Sequence, residues 1–367
     1  MPAHVREAAE AFLQLIADDQ SSEVLANGPN EIIAKSRGQR FHLPKIQFGD
    51  VDAYHHVINT YLLPYTDTAD RVDGKTVLIE GQLTMPSGEQ GVPPMLARVH
   101  ILAPPMVEAA KITIAKKERY ELSLDEMQQK GSMTEAMAHT LKAFSRGKLC
   151  IVVSGVSGAG KTTLLQAMAH FWDNNDRVIC VEDTPELTLP LADVVYLTAS
   201  TRRPGDDIAK LVTLEFCVQA ANRMRPSRII VGEVRGGEMA EWLVAANSGA
   251  DGSMVTIHAD NSRRALDKML TLASKNPTSG TESTLRKEIA NTVQIIVQAA
   301  LIENGRHVIT EITEVSTVVS EKGVTGLTPL FEYDRSRGRH VALNPPSDNL
   351  RRTLAERGVP LDLALFR

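Results

Sequence analysis

The sequence predicts an α/β protein: a parallel-sheet domain built around a phosphate-binding loop, preceded by a smaller α+β domain. Three observations carry this expectation. Four short apolar runs, "CIVVS" (150–154), "RVICVED" (177–183), "RIIVGE" (228–233) and "SMVTIH" (253–258), recur with helical stretches between them. Runs that are apolar on both faces and alternate with helices indicate a parallel sheet covered on both sides. The segment "GVSGAGKT" (155–162) fits G-x-x-x-x-G-K-[ST] and lies between an apolar run and the apolar-patterned helix "TTLLQAMAHFW". Before about residue 120 the pattern differs, with short strand-like runs and Pro/Gly turns, so the domains are expected at 1–120 and 121–367.

In the first part, Val5, Ala8, Ala9, Phe12, Leu13 and Ile16 recur at helical spacing. A second helical stretch covers "DAYHHVINTYLL". The Pro/Gly content of "LTMPSGEQGVPPMLARVHILAPP" marks turns between strands, and "KITIAKK" (111–117) reads as the last strand. His55 and His56 are adjacent and lack a matching ligand set, so a zinc site is not expected. "ERYELSLDEMQQKGSMTEAMAHTLKAF" then reads as helical with a break at Gly131. Ser123 stands three residues before Glu126, the spacing of a capping box.

Composition narrows the function. The 367 residues are 43% hydrophobic and 23% charged, ordinary for a soluble globular chain. A formal net charge of −5 without a dense Lys/Arg run argues against a direct nucleic-acid partner. Cys150, Cys180 and Cys217 form no C-x-x-C pair and no disulfide framework, which fits a reducing compartment, the cytoplasm. The N-terminus lacks the build of a signal peptide, and no run approaches 18 apolar residues. Membrane association, if any, would then be peripheral and pass through a partner.

In parallel α/β sheets, ligands bind at the carboxyl ends of the strands, and each of the four runs ends in groups suited to a nucleotide. The loop supplies Gly155, Val156, Ser157, Gly158, Ala159, Gly160, Lys161, Thr162 and Thr163. Its glycines let backbone N–H groups face a β-phosphate, Lys161 brings a point charge to the β- and γ-phosphates, and the Thr162 hydroxyl suits Mg²⁺. ATP and Mg²⁺ are thus the expected cofactors. "VEDTPE" places Glu182, Asp183 and Glu186 past the second run. They suit the shell around Mg²⁺ or, equally, a helix N-cap. "RIIVGEVRG" ends in Glu233, a carboxylate that can hold Mg²⁺ through water or act as general base. Left unpaired it would be costly, so a nearby cation is implied. His258 ends the fourth run, on one face with Thr256 and Met254. Either it is a core histidine satisfied by one hydrogen bond, or it touches a γ-phosphate and reports hydrolysis.

The set "GVSGAGKTT", "VEDTPEL", "RMRPSRIIVGEVRGGE" and "NSGADGSMVTIHADNSRRAL" resembles the secretion-superfamily traffic ATPases, whose four parts are called Walker A, Asp box, Walker B and His box. Further stretches, "VLANGPNEIIAKSRGQ", "RVD" at 71–73, "LTMPSG", "ARVHILAPP", "KITIAKK" and "VQAALIENGRHVITEITEV", resemble the Tad-pilus assembly branch, as does the tail from "PLFEYD" to "LDLALFR". The resemblance covers most of the chain. It implies a RecA-like ATPase domain and a ring-shaped homo-hexamer. It further implies a motor for pilus assembly or secretion that docks on inner-membrane platform proteins. It singles out Arg71, Arg98, Arg203, Arg225 and Arg235 as arginines that reach a γ-phosphate, in some cases across a subunit interface; otherwise they are solvated surface charges. Gln82 stands where relatives carry an arginine, Ala250 where a histidine is common, and Ser157 and Ala159 where the loop usually has Thr and Ser. The stretch 86–94 is longer than in relatives.

Other readings stay open beside this one. A type IV secretion (conjugation) ATPase fits the same motif set. A DNA helicase or recombinase shares the ATPase core but not the His box, and a basic aromatic groove is lacking. A non-catalytic scaffold is disfavoured because Lys161, Thr162, Glu233 and His258 are all present. Neither the "LSGGQ" of ABC-type ATPases nor the "NKxD" of GTPases occurs.

Overall fold

A computed structural model describes residues 1–18, 20–36, 39–86, 94–116, 122–199, 212–303, 305–320 and 323–366. The chain divides into two compact units, Met1–Tyr120 and Glu121–Arg367. Helix α1 (Ala3–Ala17) opens the first unit and buries Val5, Ala8, Ala9, Phe12 and Ile16, the stripe read from the sequence. Strands β1 (Glu23–Ala26), β2 (Ile32–Ser36) and β3 (Gln39–His42) follow. Helix α2 (Val51–Val57) then runs into a wider turn at Ile58–Leu62. Strands β4 (Leu78–Met85), β5 (Met95–Leu102) and β6 (Lys111–Lys116) complete an antiparallel sheet of order β3-β2-β1-β6-β5-β4. The two-residue period is regular in β5, where Met95, Ala97, Val99 and Ile101 are buried and Leu96, Arg98, His100 and Leu102 are not.

The second unit begins with α3 (Leu124–Gln129), whose entry is closed by the Ser123–Glu126 capping box, and α4 (Glu135–Arg146). The four apolar runs form β7 (Ile151–Ser154), β8 (Val178–Glu182), β10 (Arg228–Val231) and β11 (Met254–Ile257). They alternate with α5 (Lys161–Ala169), β9 (Val194–Thr198), α6 (Leu214–Asn222) and α7 (Glu238–Asn247). The chain then continues through α8 (Ser262–Ala273), α9 (Glu282–Thr292), β12 (Ile295–Leu301), β13 (His307–Val319), β14 (Thr325–Asp334), β15 (Arg339–Ala342) and α10 (Asp348–Glu356). The sheet order is β15-β14-β13-β12-β7-β11-β10-β8-β9. All pairings from β12 to β9 are parallel, and those from β12 to β15 are antiparallel.

Alternate residues of the central strands feed two cores. Ile151, Val153 and Met254 pack with Leu164 and Leu165 of α5 on one face, while Val152, Val255 and Ile257 pack with Trp242 and Leu243 of α7 on the other. Burial on both faces is why these strands read as unbroken apolar runs. Strand β9 lies at the sheet edge and is only part-buried, so it lacks that signature.

The edge of the sheet where the parallel strands begin is closed by a buried ion network. Arg228, the first residue of β10, is fully buried. It donates from Nε to Asp176 (2.8 Å) and from Nη1 to the Gly252 carbonyl (3.1 Å). Its guanidinium lies 4.7 Å from the centre of the Trp172 ring, and Lys148 reaches the other Asp176 oxygen at 2.7 Å. Burial pushes the Asp176 carboxyl up, but the hydrogen bonds from Lys148 and Arg228 more than offset it and hold it below the usual carboxylate range.

A depressed carboxyl contributes stability that is fully present above its unfolded value of about 3.9 and is lost as pH falls through the folded value. Asp176→Asn leaves a buried guanidinium uncompensated and is expected to cost about 3–5 kcal/mol at neutral pH. The gap between wild type and variant should narrow below about pH 4. Urea denaturation across pH measures both, and equal stability at pH 7 would show that the network contributes nothing.

Candidate functional site at the carboxyl edge of the sheet

The phosphate loop leaves β7 between the ends of β11 and β12. Gly155 lies so close to β12 that a Cβ there would stand 2.4 Å from the Ala299 carbonyl oxygen. Gly160 has a φ of +87° as it enters α5, a conformation that favours glycine. Lys161 is buried, and its Nζ donates to the carbonyls of Gly155 and Val156, each at 3.1 Å. Burial pushes this ammonium below its ordinary range, while Glu233 and Glu186 partly restore it. The loop thus holds its cation with neutral carbonyls and lets it feel two nearby carboxylates. Such a cation is poised to exchange weak partners for phosphate oxygens.

The ends of β8, β10 and β11 converge on Glu233. Arg235 donates to Glu233 Oε2 at 2.5 Å and to Asp183 at 2.7 Å, bridging the ends of β8 and β10. His258 Nδ1 bonds the other Glu233 oxygen. Burial pushes the Glu233 carboxyl up, but Arg235 and His258 outweigh it and keep it low. The cation implied by Glu233 is therefore present as Arg235, and His258 engages the other oxygen. The loop around it is pinned to β11, since the Thr256 hydroxyl donates to the Gly232 carbonyl and Val234 N–H donates to the Thr256 carbonyl at 3.1 Å.

The other acidic residues separate. Glu186 lies 3.4 Å from the Thr162 hydroxyl, a direct link to the phosphate loop. Glu182 is buried and accepts the backbone N–H groups of Glu186 and Leu187 at 3.0 Å each, so it shapes the turn that presents Glu186. Its side chain also fixes Gly232, where a Cβ would meet Glu182 Cγ at 2.8 Å.

The arginines scatter. Arg225 is exposed ahead of β10, at the opposite end of that strand from Glu233, and does not reach the site within this chain. Arg71 and Arg98 belong to the first unit. Arg71 is exposed and donates to the Asp70 carbonyl at 2.8 Å, and Arg98 is paired across the strands with Gln82. Arg203 lies outside the described residues.

Three supporting residues were missed in the sequence. Glu238 accepts the N–H groups of Arg235 (2.5 Å) and Gly236 (2.7 Å), which fixes the backbone that aims Arg235. Glu238 is the first residue of α7 behind the N-cap Gly237, so no capping-box spacing marked it. Gln298 of β12 donates to the Ala259 carbonyl at 3.0 Å, and Ser154 of β7 donates to the same oxygen at 3.5 Å. Together they hold the chain just after His258. These contacts join strands far apart in sequence and left no local pattern.

Comparison with known proteins finds a family and relatives for this chain. The family model described as "Type II/IV secretion system protein" matches residues 6–339. A provisionally named conjugal transfer protein of Mycobacterium tuberculosis is 30% identical over 329 residues, covering 89% of each chain. The type IV secretion system protein VirB11 of Bartonella quintana is 27% identical over 345 residues, covering 83% of this chain and 90% of its own length. The X-ray structure of the Legionella pneumophila ATPase DotB shares the fold, with a TM-score of 0.59 at 18% identity, covering 96% of this chain and 85% of that one.

The close approach at Gly155 gives a test of the loop. Gly155→Ala is expected to destabilise the second unit by about 1–3 kcal/mol, the usual effect of forcing a group into packed backbone. Urea denaturation reads it, and unchanged stability would mean that the loop does not depend on β12. On its family match and the identity of its relatives, the chain belongs to the type II/IV secretion system protein family.

Proposed function

We propose that this chain hydrolyses Mg²⁺-ATP as a ring-shaped homo-hexamer and powers assembly of a pilus or secretion through a membrane platform. The observation that carries this is the convergence of Lys161 with Glu233, Arg235 and His258 at one sheet edge. In this reading the loop from Gly155 to Thr163 wraps the β-phosphate and Lys161 leaves its carbonyl partners for phosphate oxygens. The Thr162 hydroxyl and the carboxylates of Glu186, Asp183 and Glu233 are the oxygens the chain offers to Mg²⁺, directly or through water. When bound, the ion neutralises charge that develops on the transferred phosphoryl group.

Glu233 acts as general base. Both of its oxygens are engaged, one by Arg235 and one by His258, and a carboxylate held this low is a weak base. A γ-phosphate competes for the Arg235 guanidinium. Once Arg235 turns to it, burial again pushes the Glu233 carboxyl up and frees an oxygen to take a proton from water. The chain's base is thereby armed by its own substrate. His258 has a related role. With Nδ1–H given to Glu233, the neutral ring has only an acceptor at Nε2, so a donor contact to phosphate requires the imidazolium. The sensor reading therefore becomes one in which Glu233 sets the ring's tautomer and orientation.

The arginines Arg71, Arg98, Arg203 and Arg225 are proposed as contributions in trans, which a ring supplies to a neighbour's site. Inner-membrane platform proteins and a peripheral cytoplasmic placement belong to the same proposal. No helix among the described residues is long and apolar enough to cross a membrane. The sequence resemblance favours pilus assembly in the Tad branch. The names of the M. tuberculosis and Bartonella relatives favour conjugal transfer or type IV secretion as the second reading. Deleting the gene and scoring pili against conjugative transfer separates the two.

Lys161→Ala should abolish Mg²⁺-dependent turnover. Glu233→Gln should bind ATP yet hydrolyse it about 10²–10⁴-fold more slowly. Steady-state assays on protein whose ring mass is verified by light scattering check both. Near-normal turnover in Glu233→Gln would move the base role to Glu186, because Glu182 is committed to backbone N–H groups.

His258→Ala should keep ATP affinity within a few-fold, slow hydrolysis and abolish pilus assembly or secretion. Melting temperature is measured on the same variant. A large drop with normal specific activity in the folded fraction would make His258 a structural histidine.

A further inference from the structure

We infer that His307, at the start of β13, forms the nucleoside end of the site and stacks on the base of the bound nucleotide. This inference rests on the ATPase reading above and extends it from the phosphates to the base. The groups suited to hydrolysis all lie on one flank of the phosphate loop. Counting outward from β7, they stand at the ends of β11 (His258), β10 (Glu233) and β8 (Asp183). A nucleotide with its β-phosphate on the loop and its γ-phosphate toward Glu233 must carry its nucleoside off the opposite flank. That flank is β12 and β13.

His307 occupies it. It pairs with Leu301 at the turn end of the β12–β13 ladder. Two residues on, Ile309 packs in the same core as Leu164 and Leu165 of α5. The two-residue period therefore puts His307 on the face of the sheet that carries α5, at the level of that helix's N-terminus. The glycine at that N-terminus confirms the approach, because a Cβ on Gly160 would lie 3.3 Å from His307 Nδ1. The ring is exposed and makes no hydrogen bond among the described residues. An imidazole in contact with the loop glycine, unused by the fold and open to solvent, offers a flat face to a planar base.

The residues on either side of His307 are fixed. Ile309 N–H donates to the Ser132 carbonyl at 2.8 Å, which brings the turn at Gly131 against β13. A Cβ on Gly131 would lie 3.6 Å from Arg306 Nη1, and Arg306 donates to the Tyr333 hydroxyl at 3.0 Å. The residue beside His307 is thus anchored on one side by β14 and closely faced on the other by the α3–α4 connection. His307 is held at a set height above the loop, as a stacking platform requires. Nothing in the sequence motif marks it, since it lies about 150 residues from the loop it touches.

The test compares ADP, which is not hydrolysed, with inorganic pyrophosphate, which carries the phosphates and no nucleoside. Both are titrated calorimetrically with Mg²⁺ into the full-length protein. His307→Ala is expected to weaken ADP by about five- to a hundredfold, the range for loss of one stacked base, and to leave pyrophosphate within about twofold. His307→Phe, which keeps the flat face, should restore ADP binding. Unchanged ADP affinity in His307→Ala overturns the inference. So does an equal loss for ADP and pyrophosphate, which would place the histidine's effect on the loop, and so does failure of His307→Phe to restore ADP. Wild-type protein that binds neither probe is a different result and would sink the ATPase reading itself.

Discussion

The second unit is organised around one constraint, the need to neutralise the half-buried Glu233 carboxylate. Taking a carboxylate partly out of water raises its energy unless opposite charge or donors replace the lost hydration. Here Arg235 reaches back over Glu233 and on to Asp183, while His258 closes the other oxygen. Those contacts tie together the ends of three parallel strands, β8, β10 and β11. Backbone links through Thr256 hold the β10 turn against β11, and Glu238 holds Arg235 to the start of α7. The edge that serves chemistry is thus also an edge of electrostatic cross-links.

The two ends of the sheet solve the same problem differently. At the starting edge, Asp176 and Arg228 are both buried and locked with Lys148 and a backbone carbonyl. Every charge there has a fixed partner. At the finishing edge Arg235 and Asp183 remain open to solvent, and among the described residues Lys161 has only neutral carbonyls as hydrogen-bond partners. A rigid ion network gives register, whereas partners that a phosphate can outcompete give response.

Much of this was legible in the sequence. Strands buried on both faces announce themselves, because each residue must be apolar whichever way it points, and β7, β8, β10 and β11 do so. The phosphate loop was legible because only glycine suits a φ of +87° at Gly160 or the close approach at Gly155. Strand β9 was not legible, since an edge strand is wet on one side. The antiparallel extension β13–β15 was seen only as likeness to relatives, as its pairing depends on long-range register. Among the site residues, Glu233 and Arg235 came from one local stretch and meet as charge demands. Arg225 came from the same stretch, but the strand between them separates it from Glu233 by roughly 10–20 Å. Local spacing predicts a meeting only within one turn, not across a strand.

If the proposed function holds, the arrangement also gives the site a means to switch. A ligand shifts an equilibrium only by contacts that differ between states. Without phosphate, Lys161 rests on Gly155 and Val156 and Arg235 rests on Glu233 and Asp183. With phosphate, both cations have a stronger acceptor within the same pocket, and each partner they leave must find another. The Gly155 and Val156 carbonyls belong to the loop that abuts β12, and Asp183 and Glu233 belong to the ends of β8 and β10. Phosphate binding would therefore act on both flanks of β7 at once, as bonds to phosphate replace the resting bonds of the two cations. In the proposed cycle, loss of the γ-phosphate would reverse only the Arg235 side, because Lys161 would still hold the β-phosphate. The ATP and ADP states then differ where β8, β10 and β11 converge, and that is where a motor needs its two states to differ.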